Sequence, residues 1–152
     1  MLVDVIFRGL VSMLDFSFLK DLLSNAREIR FSFPEDQVYE TYDKVVDIIN
    51  SDVYVDLIIN TSCLLVGEKI VPRVFINLGR NNEDIEVLFF FDLNDIGEDT
   101  PIRNLEYLKG WMIKMQDNYH FQYFICQFDE AAEDEYYFDS NGIGKLYPKS
   151  NN

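Results

Sequence analysis

The pattern of apolar and polar positions changes several times along the first 33 residues. Residues 2–14 are apolar almost throughout, and such a run fits a buried helix or a buried strand, of which we favour the helix. Ser17 then stands where an N-cap would start a short helix that ends near Asn25. The stretch REIRFSF alternates between polar and apolar side chains, which predicts a strand from about Glu28 to Phe33.

The next segment has the spacing of an amphipathic helix. Pro34 suits a first helical turn, and the acidic side chains that follow it are favoured at the positive end of the helix dipole. The pattern predicts a helix over residues 35–50, whose apolar positions recur at Val38, Tyr42, Val45 and Ile49.

From Asp52 the pattern becomes that of strands. The stretches VYVDLIINTSCLLV, IVPRVFINL and DIEVLFFFDL predict three consecutive antiparallel strands, and GRNNED has the Gly and Asn content of a hairpin connection. In the third strand Val87 and Phe89 point one way while Leu88 and Phe90 point the other, so both faces are mostly apolar. Such a strand is expected at the centre of a sheet.

The last third of the chain predicts one long helix and two more strands. Thr100 and Pro101 form a helix start, which predicts a helix over residues 101–118. Its apolar stripe, which we assign to the core, consists of Leu105, Leu108, Met112, Met115 and Tyr119. The stretches HFQYFICQF and EYYF then predict two strands, and SNGIG predicts a turn.

These elements predict one α+β domain over residues 1–147, followed by a flexible C-terminal tail over residues 148–152. The predicted order is α, β, α, three strands, α and two strands. We expect a mostly antiparallel β-sheet of about five to six strands, packed with about three to four helices.

Charge narrows the class of partner. The chain has 27 acidic and 13 basic residues, which gives a net charge of −14. Such a field repels phosphate backbones and anionic lipids, so we expect neither nucleic-acid nor membrane binding and favour a basic partner. The two cysteines lie inside apolar runs, which is typical of a reducing compartment, and charges interrupt the apolar N-terminus, unlike a signal peptide. We therefore expect a cytoplasmic protein.

Catalytic and metal-binding signatures are weak. His120 is the one histidine, and it is expected at a helix-to-strand junction. The stretch DLNDIGEDT begins like a calcium loop, but Ile96 and Arg103 occupy positions that need oxygen ligands, so strand exit and helix capping explain it better. The sequence predicts no catalytic residue, no metal and no cofactor, and it favours a binding protein over an enzyme.

The segment FDEAAEDEYYFDS, residues 128–140, is the best candidate for a binding site. Five carboxylates fall within the seven positions 129–135 and run directly into aromatic residues. Acids steer a basic partner towards the site, while aromatic side chains supply buried contact area. The alternative is a solvated hairpin tip that discourages edge pairing. The candidate partner-binding residues are Asp129, Glu130, Glu133, Asp134, Glu135, Tyr136, Tyr137 and Asp139.

A small acidic chain without catalytic groups resembles, in general character, a bacterial immunity protein. That resemblance implies a non-catalytic inhibitor that covers the basic surface of a partner protein, for example a toxin or a nuclease. It rests on no aligned motif, so no residue role follows from it.

Three alternatives stay open. One is a nucleic-acid mimic with carboxylates spaced like phosphates. Another is a carboxylate-based hydrolase or small-ligand binder on the open face of the sheet, with Asp92, Asp95, Glu98 or the cluster around Glu133 as candidates. The third is a structural or accessory subunit that contacts its partner through the apolar N-terminus.

Overall fold

The computed structural model describes residues 1–35 and 41–148. The strands are β1 (Leu2–Leu10), β2 (Ala26–Phe33), β3 (Tyr54–Thr61), β4 (Leu64–Val66), β5 (Lys69–Val71), β6 (Val74–Asn81), β7 (Asp84–Asp92), β8 (Tyr123–Phe128), β9 (Tyr136–Asp139) and β10 (Gly142–Ile143). The helices are α1 (Leu19–Ser24), α2 (Tyr42–Ser51) and α3 (Pro101–Tyr119), with short 3-10 helices at Phe16–Phe18 and Leu93–Ile96.

Eight strands form one sheet in the order β10-β9-β8-β1-β7-β6-β3-β2, and every neighbouring pair is antiparallel. The α+β class and the antiparallel pairing are thus confirmed, whereas the expected five to six strands are too few. The two apolar runs after Asp52 each break once, and the pieces β4 and β5 pair with each other outside the main sheet. β1 and β10 account for the other additional strands.

The predicted helix over residues 2–14 is wrong, because this segment is the central strand β1, paired with β7 on one side and β8 on the other. Val3, Val5 and Phe7 are completely buried on one face. Asp4 and Arg8 point to the other face, and a separation of four residues puts two polar groups on one side of a helix as well as of a strand. The apolar run of a central strand therefore could not be distinguished from a helix.

Helix starts follow the capping chemistry, with two differences. Asp15, rather than Ser17, caps the 3-10 helix before α1, since its carboxylate accepts a hydrogen bond from the Ser17 amide at 2.9 Å. Thr41 caps α2. Residues 36–40 of the predicted helix over 35–50, and residues 149–152 of the predicted tail, lie outside the described residues. The start of α3 after Thr100 is confirmed.

All three helices pack against one face of the sheet and enclose the core. Trp111 of α3 makes edge-to-face contacts with Phe7 and Phe89, at ring-centroid distances of 5.8 and 5.6 Å. The predicted core stripe of α3 is confirmed, since Leu105, Leu108 and Met112 are fully buried. No helix within residues 1–35 and 41–148 is long and apolar enough to cross a membrane.

The opposite face of the sheet is largely accessible, and we call it the open face. It is formed by the alternate side chains of β8, β1, β7, β6 and β3 that point away from the helices. These are half-buried or exposed, apart from Ile6 and Ile125, whereas their neighbours on the other face are buried. The long strands end in tight turns, such as the two-residue connection of β6 and β7 at Asn82, whose φ is 55°. GRNNED is thus a hairpin as predicted, although its first three residues belong to β6.

Candidate functional site

Residues 129–135 connect β8 to β9, and we call them the acidic loop. Asp129, Glu130, Glu133 and Asp134 are exposed, while Glu135 is half-buried. Among the described residues the one ion pair of this loop joins Asp134 to Lys145 at 3.7 Å, and both side chains are more than 70% exposed. Surface pairs of this kind hold little energy, so the loop keeps nearly all of its negative field.

The residues after the loop hold the hairpin together. Tyr137 is buried, and its hydroxyl donates a hydrogen bond to the Met1 sulfur at 3.0 Å. Asp139 accepts hydrogen bonds from the Tyr123 hydroxyl at 3.1 Å and from the Asn141 amide at 2.8 Å. Burial and the hydrogen bond to Asp139 raise the pKa of Tyr123 to about 12, so this phenol stays protonated. Of the predicted aromatic contacts, Tyr136 is the half-buried one.

The structure therefore divides the eight predicted partner-binding residues into two groups. Four carboxylates form an exposed tip, whereas Tyr137 and Asp139 have partners inside the protein. Glu135 and Tyr136 lie between these groups. Whether any of the eight touches a partner stays a prediction.

The open face begins directly beside the acidic loop. Its side chains line up across five strands in three rows. The row nearest the loop is Gln127, Asp4, Phe90, Phe75 and Asn60. The middle row is Ile125, Ile6, Leu88, Asn77 and Ile58. The far row is Tyr123, Arg8, Glu86, Gly79 and Asp56.

Asp4 links the open face to the acidic loop electrostatically. Its carboxyl group is half-buried, and its pKa is raised, chiefly by burial and then by the negative charge of Asp129, against a hydrogen bond from Gln127 that lowers it. A raised pKa means that the folded protein holds this carboxylate at a cost. The ion pairs found among the described residues do not include Asp4.

Asp56 is a second half-buried carboxylate on the open face. The Asn77 amide donates a hydrogen bond to one of its oxygens at 2.5 Å, and the Ser32 hydroxyl donates to the other. Both donors are neutral, and the ion pairs of the described residues do not involve Asp56 either. Its side chain is held in one position while its charge is left uncompensated.

Two shallow hollows lie on this face, one on each side of the middle row. The first, of about 730 Å³, is lined by Leu2, Phe75 and Phe90 and by charged side chains of both signs, which include Asp92, Asp95, Arg27 and Arg73. The second, of about 720 Å³, is lined by polar groups that include Arg8 and Glu86, with Gly79 at its floor. Gly79 carries no side chain, and a Cβ there would meet nothing closer than the Val55 carbonyl oxygen at 4.0 Å.

The other candidate carboxylates differ in their partners. Asp92 bonds the N-terminal ammonium at 2.8 Å and caps the 3-10 helix at Asn94, and these hydrogen bonds lower its pKa. Glu98 pairs with Lys69 at 3.6 Å. The Asp95 Oδ2 atom is buried and has no hydrogen-bond donor among the described residues. Within residues 1–35 and 41–148 no group of three or more potential ligands could hold a metal ion.

The remaining ionisable residues have structural positions. His120 is the C-cap of α3, with a left-handed backbone and its amide bonded to the Gln116 carbonyl oxygen at 2.9 Å. The predicted helix-to-strand junction is thus confirmed. Cys126 is completely buried, which raises the pKa of its thiol, and Cys63 is half-buried. A buried, protonated thiol is a poor nucleophile.

Comparison with known proteins identifies the family of this chain. A model of the PABL017 Cdi1I immunity protein family matches residues 5–142. This match includes all three helices and all of the main sheet except residues 2–4 of β1 and Ile143 of β10. The chain belongs to the Cdi1I immunity protein family. The interpretation as an immunity protein is thereby confirmed.

A solved structure shows the same fold. This Cdi1I-family chain superimposes, with a TM-score of 0.73, on a chain in the crystal structure of the toxic C-terminal tip of CdiA from Pseudomonas aeruginosa in complex with its immune protein. The two chains are 20% identical, and the match covers 95% of this chain and 97% of the other. No curated protein matches the chain.

Sequence reasoning missed the polar residues of the open face in this Cdi1I-family protein. Asp4 was hidden because its segment was predicted as a helix. One signal for this face was available in β3, where accessible residues alternate with buried ones, a pattern that marks a strand with one accessible face. The accessible residues are Tyr54, Asp56, Ile58 and Asn60.

Proposed function

We propose that this chain neutralises the toxic C-terminal tip of a CdiA-type protein by binding it and covering a basic surface. The single observation that carries the proposal is the family match over residues 5–142. The related fold, in a complex between a CdiA toxic tip and its immune protein, supports a toxin as the partner. The net charge of −14 supports a partner surface that is positive, and it opposes binding to nucleic acid.

The acidic loop contributes to this binding by steering the toxin. One of its exposed carboxylates, Asp129, lies close enough to Asp4 to raise the pKa of that carboxyl group, and among the described residues Lys145 is the one base that pairs with the loop. Charges at the rim of an interface act mainly on the association rate. Two free cysteines are compatible with action in the reducing cytoplasm.

Co-expression with a toxin tests the proposal. The probe is the toxic C-terminal tip of a CdiA-type protein from the same source cell, expressed in a susceptible cell with and without the chain. We expect growth only when the chain is present, and a purified complex with a dissociation constant in the nanomolar range or below, as for other tight protein inhibitors. Cell death in both cultures, with no complex in solution, would contradict the proposal.

The acidic loop has its own test. Reversing Glu133, Asp134 and Glu135 to Lys should leave the fold intact and slow toxin association by roughly tenfold at low salt, because the loop then repels a basic partner. The matched control reverses Asp47, Glu106 and Asp117, three acids on α2 and α3 that are exposed on the helical side. Equal changes in the association rate of the two triple variants, measured by stopped-flow mixing, would contradict a steering role of the loop.

A further inference from the structure

We propose that the open face of the eight-stranded sheet is the docking surface for the toxin. This inference rests on the proposed function and assigns its main contact area. The toxin is expected to present apolar side chains surrounded by Lys and Arg, and the acidic loop would form one edge of the contact. Four features of the open face carry the proposal: its size, its apolar groups, its charge and its two organised carboxylates.

The size of the face fits a stable complex. Together with the edge strand β2, the open face spans six strands that are spaced about 4.8 Å apart, and β1 rises about 3.4 Å per residue, so this surface measures roughly 24 by 27 Å. Its projected area is then on the order of 650 Å², and a standard interface buries about 800 Å² per partner. The neighbouring acidic loop supplies the remaining area.

The face also has apolar groups that are accessible to a partner. Phe75 is 36% exposed, Leu2 is 46% exposed and Tyr54 is 51% exposed. Phe75 and Phe90 are directly paired across β6 and β7 and form the floor of the first hollow. Aromatic side chains in a shallow depression are the usual anchors of protein interfaces.

Charge on the same face selects a basic partner. The four central strands β1, β7, β6 and β3 direct five carboxylates and one guanidinium group to the open face, and the N-terminal ammonium adds one positive charge. The carboxylates are Asp4, Asp56, Asp84, Glu86 and Asp92, and the guanidinium is that of Arg8. The excess of negative charge disfavours a second copy of this chain as the occupant, because like charges would face each other.

Asp4 and Asp56 show how basic side chains would be received. Each is half-buried and accepts hydrogen bonds from neutral side chains, Gln127 for Asp4 and Asn77 with Ser32 for Asp56. Because such a carboxylate is already held in place, it loses little further conformational entropy when it binds a Lys or Arg side chain. Beside Asp56, the position of Gly79 leaves a notch between Asp56 and Glu86, which flank it on β3 and β7. We expect this notch to receive one basic side chain of the toxin.

Two variants of the open face test the proposal. Gly79→Val fills the notch without backbone strain, since Gly79 is not among the glycines with positive φ and its Cβ has free space. A β-branched residue also suits a strand, so the melting temperature should stay the same or rise. Phe75→Ala removes the apolar anchor. We expect each to weaken toxin binding about tenfold or more, as hot-spot changes do.

Matched controls stand on the helical side of the molecule. Gly110→Val is the counterpart of Gly79→Val, because Gly110 is exposed on α3 and also has free space for a Cβ. Ile113→Ala is the counterpart of Phe75→Ala, because Ile113 is 42% exposed on the same helix. Both controls should bind the toxin within about twofold of the unchanged chain, since changes outside an interface are nearly neutral.

Calorimetry with the purified toxic tip, together with melting curves, separates the outcomes. Loss of binding in a stably folded Gly79→Val variant, with normal controls, supports the proposal. Normal binding by Gly79→Val and Phe75→Ala overturns it while leaving the proposed function intact. Failure of the unchanged chain to bind overturns the proposed function, and this inference with it. A homodimer that Gly79→Val dissociates would also overturn it, since a second copy would then occupy the face.

Discussion

Asp4 is a residue whose negative charge opposes folding. Its carboxyl group is half-buried between Asp129 and Gln127, and its pKa is raised by burial and by the Asp129 charge. Between its ordinary pKa and the raised value, the folded state binds more protons than the unfolded state. The stability of the protein therefore falls as the pH rises through this window.

Asp4→Asn tests this linkage. The neutral amide avoids the cost of the half-buried charge, so the free energy of unfolding should be higher in the variant at neutral pH. The advantage should disappear below the ordinary pKa of aspartate, where both proteins are neutral at this position. Urea unfolding between pH 3 and pH 8 measures it, with Asp117→Asn on α3 as the exposed control. A constant difference at every pH would show that the charge of Asp4 is not the cause.

For single residues, the sequence predicts the exposure of a charged segment better than the burial of each aromatic side chain. Five acids within seven positions correctly indicated an exposed loop, because adjacent carboxylates are almost never buried together. It could not show that Tyr137 is buried and Tyr136 half-buried, since the strand register changes between Cys126 and Gln127. A one-residue shift in register reverses the faces of the side chains that follow it.

Among the elements, the small hairpin β4–β5 depends on one close contact with α3. Gly67 has a left-handed backbone with φ of 63°, and an added Cβ would lie 2.6 Å from the Tyr107 hydroxyl oxygen. That same oxygen accepts a hydrogen bond from the Glu68 amide at 2.9 Å. The turn of the hairpin is thus seated on the helix by a glycine that allows the approach.

Gly67→Ala should destabilise the protein by more than Gly97→Ala. Both positions are left-handed, which costs alanine about 1–2 kcal/mol, but Gly97 has no atom within 4 Å of the added Cβ. The clash with Tyr107 should add about 1–3 kcal/mol in the Gly67 variant. Combining Gly67→Ala with Tyr107→Phe should recover part of this loss, as measured by chemical unfolding. Equal losses at the two glycines would contradict a specific contact with Tyr107.

The start of α3 was predicted well from a local signal. Thr100 caps this helix, and an N-cap needs only its own side chain and the next three residues. The start of α2 after Thr41 was missed, since the prediction placed it directly after Pro34. The N-terminal strand was not predicted, since its identity depends on pairing with β7 and β8, about 80 and 120 positions away. Such pairing leaves no trace in the apolar run itself.

For the whole molecule, the α+β class and the antiparallel sheet followed from the order of the elements, but the strand order did not. β1 lies between β7 and β8, so the first strand of the chain joins the three consecutive strands to the last strands in one sheet. This arrangement brings the acidic loop next to Asp4. An open face was expected from the sequence, but neither the residues that form it nor its continuity with the loop could be inferred before the topology was known.

The net charge of −14 leads to a prediction for the whole molecule, because its field acts over distances beyond the contact area. The rate of association with the toxic CdiA tip should fall by at least tenfold between about 10 mM and 1 M salt, where the Debye length shrinks from roughly 30 to 3 Å. The dissociation rate should change far less, since it depends on close contacts. Stopped-flow mixing at several salt concentrations measures both rates.

In the variant with Glu133, Asp134 and Glu135 reversed, the association rate should depend less on salt than in the control variant of the helical side. An association rate that is independent of salt would show that the acidic character of the chain serves something other than capture of a basic toxin.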